Sequence, residues 1–366
     1  MKFNKISIIV IAFTLFLTAC SNEAKTPSKE PGAAASSEVT ETPVTETPIE
    51  ESTSAEPSTE VSVQYPITIK HAFGETILNE KPERIATISW GNQDVPLALG
   101  VVPVGVSQAN YGVIDGSGLL PWTLEGFKSL GVDNPVIFND TDGLNYEAIS
   151  DAAPDVILAA YSGITQEEFD LLSAIAPVVA YPTLAWQTYW RDQIIMDATG
   201  MGMKAEGEQL VSELEQLIVE KTAQYPQIAG KTAAFFYFNP TDLGKFYIYL
   251  PTDPRAAYLT DLGMEFPESV LKLSEDSASF ALELSAENVD ILKDIDIIIA
   301  YGDAALLEAL KADPLVGTIP AVQRGSVALI TDGTPLAASG TPSALSIPAT
   351  IDEYLNLIGE AADKAE

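Results

Sequence analysis

Twice along this chain, short apolar runs rich in β-branched residues alternate with segments of helical periodicity, and that alternation restricts the fold more than any other feature. In the first half, 85–88 reads as a strand, 94–99 as a short helix and 101–106 as a second strand. A helix signal opens at Tyr146 and another covers 166–175, with buried-strand runs at 155–159, after Ala153-Pro154, and at 178–180. In the second half the runs are 231–238, 246–250, 296–300 and 327–330, followed by a helix over 347–358 with Pro348 in its first turn. Apolar runs of this length spaced by helices are the mark of parallel α/β units, whose sheets are covered on both faces. The folded part starts near Val63 and holds about three hundred residues, more than one core usually takes. The pattern therefore predicts an α/β fold of two lobes, each a three-layer α/β/α sandwich, at 63–185 and 227–364. Between them, in 186–226, Leu210, Leu214, Leu217 and Ile218 recur at helical spacing, which predicts one long joining helix with Gly200 and Gly202 as its interruptions.

The N-terminus has a different logic. Lys2 and Lys5 precede an apolar run over 6–17 and then Leu17-Thr18-Ala19-Cys20, the layout of a secretory signal with a small-residue cleavage site over 1–20. The run is too short to span a bilayer. Its ending resembles the lipobox of bacterial lipoproteins, which implies that Cys20 carries lipid and anchors the chain by acyl groups. Residues 21–62 are Ser, Thr, Pro, Glu and Ala with almost no large apolar side chain, so they predict a disordered tether. A flexible coil of that length reaches about 35 Å from the membrane surface.

Composition narrows the chemistry. A formal charge of −33 excludes nucleic acid and anionic membrane surfaces as partners, since both require basic surface. The chain has one histidine and one cysteine. A bare transition-metal site, a Ser-His-Asp triad and a Cys-His dyad all lean on those side chains, and Gly-x-Ser-x-Gly is absent. No enzyme is expected, although a carboxylate-only site stays open. His71, in an extended segment over 67–73, reads as structural.

A series of short motifs runs in order through both halves. The first has His71-x-x-Gly74, Pro82-x-Arg84-Ile85, Ala98-Leu99-Gly100-Val101-x-Pro103-Val104-Gly105-Val106, Asn145-Tyr146-Glu147-x-Ile149 and Pro154-Asp155-Val156-Ile157-Leu158. The second has Leu284-Ser285-x-Glu287, Asp294-Ile295-Asp296-Ile297-Ile298 and Ile319-Pro320-Ala321-Val322 with Gly325-x-Val327. The ordered set, over 67–358, resembles the iron-siderophore and cobalamin class of ABC-importer binding proteins. The resemblance implies a ligand cleft between lobes whose closure is small, and a monomer at the outer face of the cytoplasmic membrane that serves ABC permease subunits. It also implies no cofactor, with iron present only inside a bound chelate.

Ligands of open α/β sheets bind beyond the carboxyl ends of strands, which selects the site candidates. Trp90, Tyr111 and Tyr161 each follow a first-lobe strand, while Trp122 and Trp186 sit in loop-like segments of the same lobe. In the second lobe Tyr247 and Tyr249 share one strand face, Tyr301 follows a strand, and Arg255 stands in Thr252-Asp253-Pro254-Arg255. The position of Arg255 resembles that of the arginine touching the iron-bound oxygens in hydroxamate-siderophore binders; its alternative is an ion pair with Asp253 or Asp261. Arg191, beside Trp190, is a second cationic candidate. Glu147 and Glu287, one per lobe at helix starts, resemble the pair that docks on permease arginines, and helix capping suits the same positions. Few cations favour a ferric hydroxamate over a highly anionic catecholate. Cobalamin, haem, and a surface lipoprotein enzyme acting on siderophores are the alternatives, with an adhesin beyond them.

Overall fold

The computed structural model describes residues 63–275 and 277–365. The expected signal, the lipid-bearing Cys20 and the 21–62 tether lie outside the described residues.

The first lobe opens with an antiparallel hairpin, β1 (Ile67–His71) and β2 (Gly74–Leu78), whose inward face carries Ile69, His71, Thr76 and Leu78. His71 Nε2 and Thr76 Oγ1 are 3.0 Å apart, and Thr76 Oγ1 donates to the Val178 carbonyl at 2.6 Å. The lone histidine thus helps seat the hairpin on the sheet beside Phe73 and Phe169, a structural position. After the hairpin come β3 (Ile85–Thr87), α1 (Asp94–Ala98), β4 (Gly105–Ser107), α2 (Pro121–Ser129), β5 (Ile137–Phe138), α3 (Tyr146–Asp151), β6 (Val156–Ala159), α4 (Gln166–Ser173) and β7 (Val178–Ala180). The five strands after the hairpin form a parallel sheet in the order β5-β4-β3-β6-β7. Residues of β3, β4, β6 and β7 are buried throughout, as helices on both faces require. The strand expected over 101–106 is confined to its end. Val101 N–H closes α1 by donating to the Pro96 carbonyl at 2.8 Å, and Pro103 has no N–H to give a neighbour.

Two helices, α5 (Trp190–Gly200) and α6 (Lys204–Thr222), stand where one long helix was expected. Gly202 ends α5 in the left-handed region, at φ +67°. The chain then reverses: Gly207 lies against Ala198 and Glu215 pairs with Arg191, so α6 runs antiparallel to α5. Gly200 serves packing, since a Cβ there would stand 2.7 Å from both Leu158 and Val179.

The second lobe contains β8 (Ala233–Asn239), β9 (Asp242–Tyr249), α7 (Pro254–Asp261), α8 (Glu268–Ser274), β10 (Ala281–Ser285), a 3-10 turn over Ala286–Leu292, β11 (Ile297–Tyr301) and α9 (Ala304–Ala312). A short 3-10 turn, α10 (Pro320–Arg324), β12 (Val327–Ile330), α11 (Pro335–Ala338) and α12 (Ser346–Ala362) complete it. Its sheet order is β10-β9-β8-β11-β12, parallel through β8, β11 and β12 and antiparallel through β8, β9 and β10.

The lobes share a core. Leu158 and Val179 of the first lobe, Ile194 and Ala198 of α5, Leu214 and Ile218 of α6, Phe235 and Ile299 of the second lobe and Tyr354 of α12 belong to one buried apolar cluster. Each fully buried side chain of this kind contributes about 1.5–3 kcal/mol, so separating the lobes at this junction is expensive. A second crossing runs from α11 to α12. There Ala338 packs on Leu120 and Trp122, and Ser343 Oγ donates to Asp94 Oδ2.

Candidate functional site

In the first sheet the chain runs outward from β3 through β4 to β5 on one side and then crosses to β6 and β7 on the other, so the strand order reverses at β3 and a crevice opens at the carboxyl ends of these strands. The loops there are held by a buried amide. Asn92 Nδ2 donates to the Ile88 and Tyr161 carbonyls at 2.7 and 2.9 Å, and Tyr161 N–H donates to Asn92 Oδ1 at 3.0 Å. Gln193 of α5 adds a bond from Nε2 to the Trp90 carbonyl at 3.2 Å. Tension in the backbone marks the same place. Among the described residues three non-glycine residues have positive φ, and two of them, Ser89 at 67° and Trp186 at 61°, line this crevice.

The crevice faces the second lobe across a cleft of about 520 Å³, within the size range of small-molecule sites. Trp90, Tyr111, Tyr161, Trp186, Arg255 and Tyr301 all line it. Trp186 meets Tyr161 edge to face at 5.4 Å, and Gly163 leaves room for the indole. Arg255 follows the first residue of α7, and the N-cap of that helix is Asp253. The Asp253 carboxylate, wholly buried, accepts from Arg255 Nε at 2.8 Å and Nη2 at 2.7 Å. Of the two alternatives for Arg255, the pairing with Asp253 and the position in the cleft therefore hold together. Burial acts to lower its pKa, but the Asp253 bonds outweigh this and hold the guanidinium well above its ordinary value, so it is always charged. Its plane lies 4.1 Å over the Tyr249 ring, a cation–π contact.

Burial also keeps the phenols neutral. It raises Tyr161 and Tyr301 above the usual tyrosine value, and burial together with a hydrogen bond to Asp332 pushes Tyr111 up to about 12. Tyr111 Oη donates to Asp332 Oδ1 at 2.5 Å and accepts from Gly333 N–H at 3.1 Å, a link between lobes at one end of the cleft. Gln187 Nε2 to the Ala278 carbonyl and Tyr189 Oη to the Pro251 carbonyl, both 3.0 Å, link other parts of the second lobe to the segment ahead of α5.

Four candidate site residues are elsewhere. Trp122 is in α2, not in a loop, and is buried. Its indole N–H donates to Asp94 Oδ2 at 3.0 Å, which makes it a core residue under the second crossing. Tyr247 does share a strand face with Tyr249 but is exposed within β9, and its hydroxyl donates to Glu283 at 2.6 Å. Tyr249 lies behind Arg255 and supports it without lining the cleft. Arg191 is held by Glu215 at 2.6 Å and Asp261 at 2.9 Å in the α5–α6 junction, away from the cleft. Glu147 is exposed in the first turn of α3, capped by Asn145, and Glu287 is exposed at the start of a 3-10 turn. Neither carboxylate forms an ion pair among the described residues.

Sequence reasoning missed Ser107, Asp140, Phe280 and Thr341, which also line the cleft. Asp140 follows a two-residue strand too short to show periodicity, and Thr341 sits in an irregular crossing. Ser107 directly follows the run expected over 101–106 and is the last residue of β4, so the strand-end rule reaches it, but the candidates taken there were aromatic and cationic side chains alone.

Among solved structures, that of Streptococcus pneumoniae TIGR4 PiaA in complex with ferrichrome is 54% identical, with a TM-score of 0.79, and covers 82% of this chain and 100% of its own. Fe(3+) dicitrate-binding periplasmic protein FecB of Escherichia coli (strain K12) is 22% identical over 284 residues, 73% of this chain and 86% of FecB. The putative ABC transporter substrate-binding lipoprotein YhfQ of Bacillus subtilis (strain 168) is 26% identical over 164 residues, 43% of this chain and only 47% of YhfQ. Residues 85–333, well over half of the chain, match the model of the periplasmic binding proteins, and together with the two-lobed fold and its cleft this places the chain in the periplasmic binding protein family.

Proposed function

We propose that this protein is the substrate-binding component of an ABC importer, and that it captures a ferric hydroxamate siderophore and delivers it to the membrane permease. The observation that carries this reading is Arg255, charged, oriented by Asp253 and set among neutral tyrosines and tryptophans in the cleft. A ferric trihydroxamate presents a compact oxygen cluster in an aliphatic frame. The guanidinium fork donates to the oxygens and the aromatic walls receive the frame. The 54% identity to PiaA, whose structure holds ferrichrome, supports the same ligand class. Burial of the tyrosines opposes the deprotonation that a tyrosinate ligand to haem requires.

The protein acts by binding, without turnover, as a lipid-anchored monomer at the outer face of the cytoplasmic membrane, with Cys20 as the lipid-bearing residue. Iron enters only within the chelate. Glu147 and Glu287, exposed one to each lobe, are the residues that meet the permease subunits. Tryptophan fluorescence of the full chain, titrated with ferrichrome and with its iron-free form, tests the reading. Trp90 and Trp186 line the cleft and report directly. Saturable quenching at submicromolar ferric complex alone is expected; a folded chain with no response to ferrichrome removes the hydroxamate assignment.

A further inference from the structure

Charge is distributed unevenly between the two walls of the cleft. On the second-lobe wall Arg255 is the sole lining cation among the described residues, and the buried Asp253 already balances it. On the first-lobe wall stand two carboxylates, Asp140 and Glu168. Glu168 is engaged by the start of its own helix, accepting from Thr165 N–H at 2.7 Å and Thr165 Oγ1 at 3.0 Å. Asp140 is different. Its Oδ2 accepts from Ser107 Oγ, which in turn accepts from Ser89 N–H at 3.0 Å, so a line of hydrogen bonds connects it to the strained turn after β3. Its Oδ1 accepts one long, weak hydrogen bond from Asn145 N–H at 3.4 Å. No Lys or Arg pairs with Asp140 among the described residues, and burial raises its pKa.

A half-buried carboxylate without a cation destabilises the protein that carries it where, as here, its hydrogen bonds do not fully offset the desolvation. An ammonium group brought by the ligand supplies the offset. We propose that Asp140 is a specificity-determining residue of the cleft and receives a protonated amine on the periphery of the bound chelate, with Ser107 orienting the carboxylate. This rests on the reading of the cleft as a hydroxamate site. The oxygen cluster around iron then faces Arg255 and Tyr301, which donate, while the organic frame faces Asp140, Gln108 and Asn110, which accept.

The test compares two ligands that differ by one charge: ferrioxamine B, a linear ferric trihydroxamate with a free ammonium, and its N-acetylated derivative. Both are titrated into the full chain beside neutral ferrichrome. The amine form is expected to bind about tenfold more tightly at low ionic strength, with the ratio shrinking as salt is added. In Asp140→Asn the ratio is expected to fall to within about twofold of one. Equal affinities in the unmodified chain overturn the proposal, and so does an Asp140→Asn chain that keeps the tenfold ratio. If ferrichrome binds without discrimination between the other two, Asp140 loses its role and the hydroxamate reading stands. If a folded chain binds none of the three, both fall. The comparison in the unmodified chain and its salt dependence decide the matter even where Asp140→Asn fails to fold.

Discussion

Arg255 has two duties that mutation can separate. Arg255→Ala removes the donor fork and also leaves Asp253 buried without its cation. Affinity for ferrichrome is expected to fall at least tenfold, about 1.4 kcal/mol, in the fluorescence titration. The melting temperature falls as well, because an unpaired buried carboxylate costs about 3 kcal/mol or more. In Arg255→Ala with Asp253→Asn the melting temperature recovers while affinity stays low. Asp94 is the other residue with a legible electrostatic consequence. Burial raises it from 3.8 to about 6, against the bonds from Ser343, Thr123 and Trp122. Between those values the folded chain holds a proton that the unfolded chain has lost. The stability this group provides is full below the unfolded value and declines as pH rises to about 6, after which it is level. Asp197 of α5, raised well above its ordinary value by burial, acts with the same sign. Denaturant unfolding of the unmodified chain and Asp94→Asn should therefore diverge by up to about 3 kcal/mol between pH 4 and pH 6.5, with the unmodified chain gaining on the acid side.

Among the elements, the α5–α6 hairpin depends on glycines for two separate reasons. Gly202 adopts φ +67°, where an L side chain is strained by about 1–2 kcal/mol. Gly207 allows contact with α5, and a Cβ there would stand 2.5 Å from that of Ala198. Gly207→Val is expected to lower stability by about 1–3 kcal/mol through overpacking, and Gly202→Ala by a comparable amount, since its Cβ adds a clash with the Tyr65 hydroxyl to the backbone strain. Thermal melts check both, and ferrichrome affinity should be unchanged in each, since neither glycine lines the cleft.

At the scale of the whole molecule, the shared core and the crossing at 339–345 resist lobe rotation. Small-angle scattering of free and ferrichrome-bound protein is expected to give radii of gyration equal within about 1 Å. What the chain alone made legible was set by local physics. Apolar runs that must be covered on both faces read as strands wherever they are long enough, so β6, β7, β11 and β12 were found nearly to the residue. The strand-end rule then brought Trp90, Tyr111, Tyr161 and Tyr301 to the cleft, since a residue at or soon after the end of a buried strand has little choice of position. Where a decision depended on a distant partner, sequence was silent. Periodicity cannot tell that α6 reverses onto α5, because the contact of Gly207 with Ala198 is tertiary. Nor can it tell that Trp122 spends its indole N–H on Asp94, or that the Tyr247 hydroxyl is taken by Glu283 of the neighbouring strand. The pairing of Arg255 with Asp253 is adjacent in sequence and was readable as an alternative, while its place in the cleft came from the packing of α7 against the second sheet. Sequence determined which segments are strands and helices and which of their ends carry polar and aromatic side chains. Tertiary structure decided which of those ends face one another, because that depends on contacts between residues far apart in the chain.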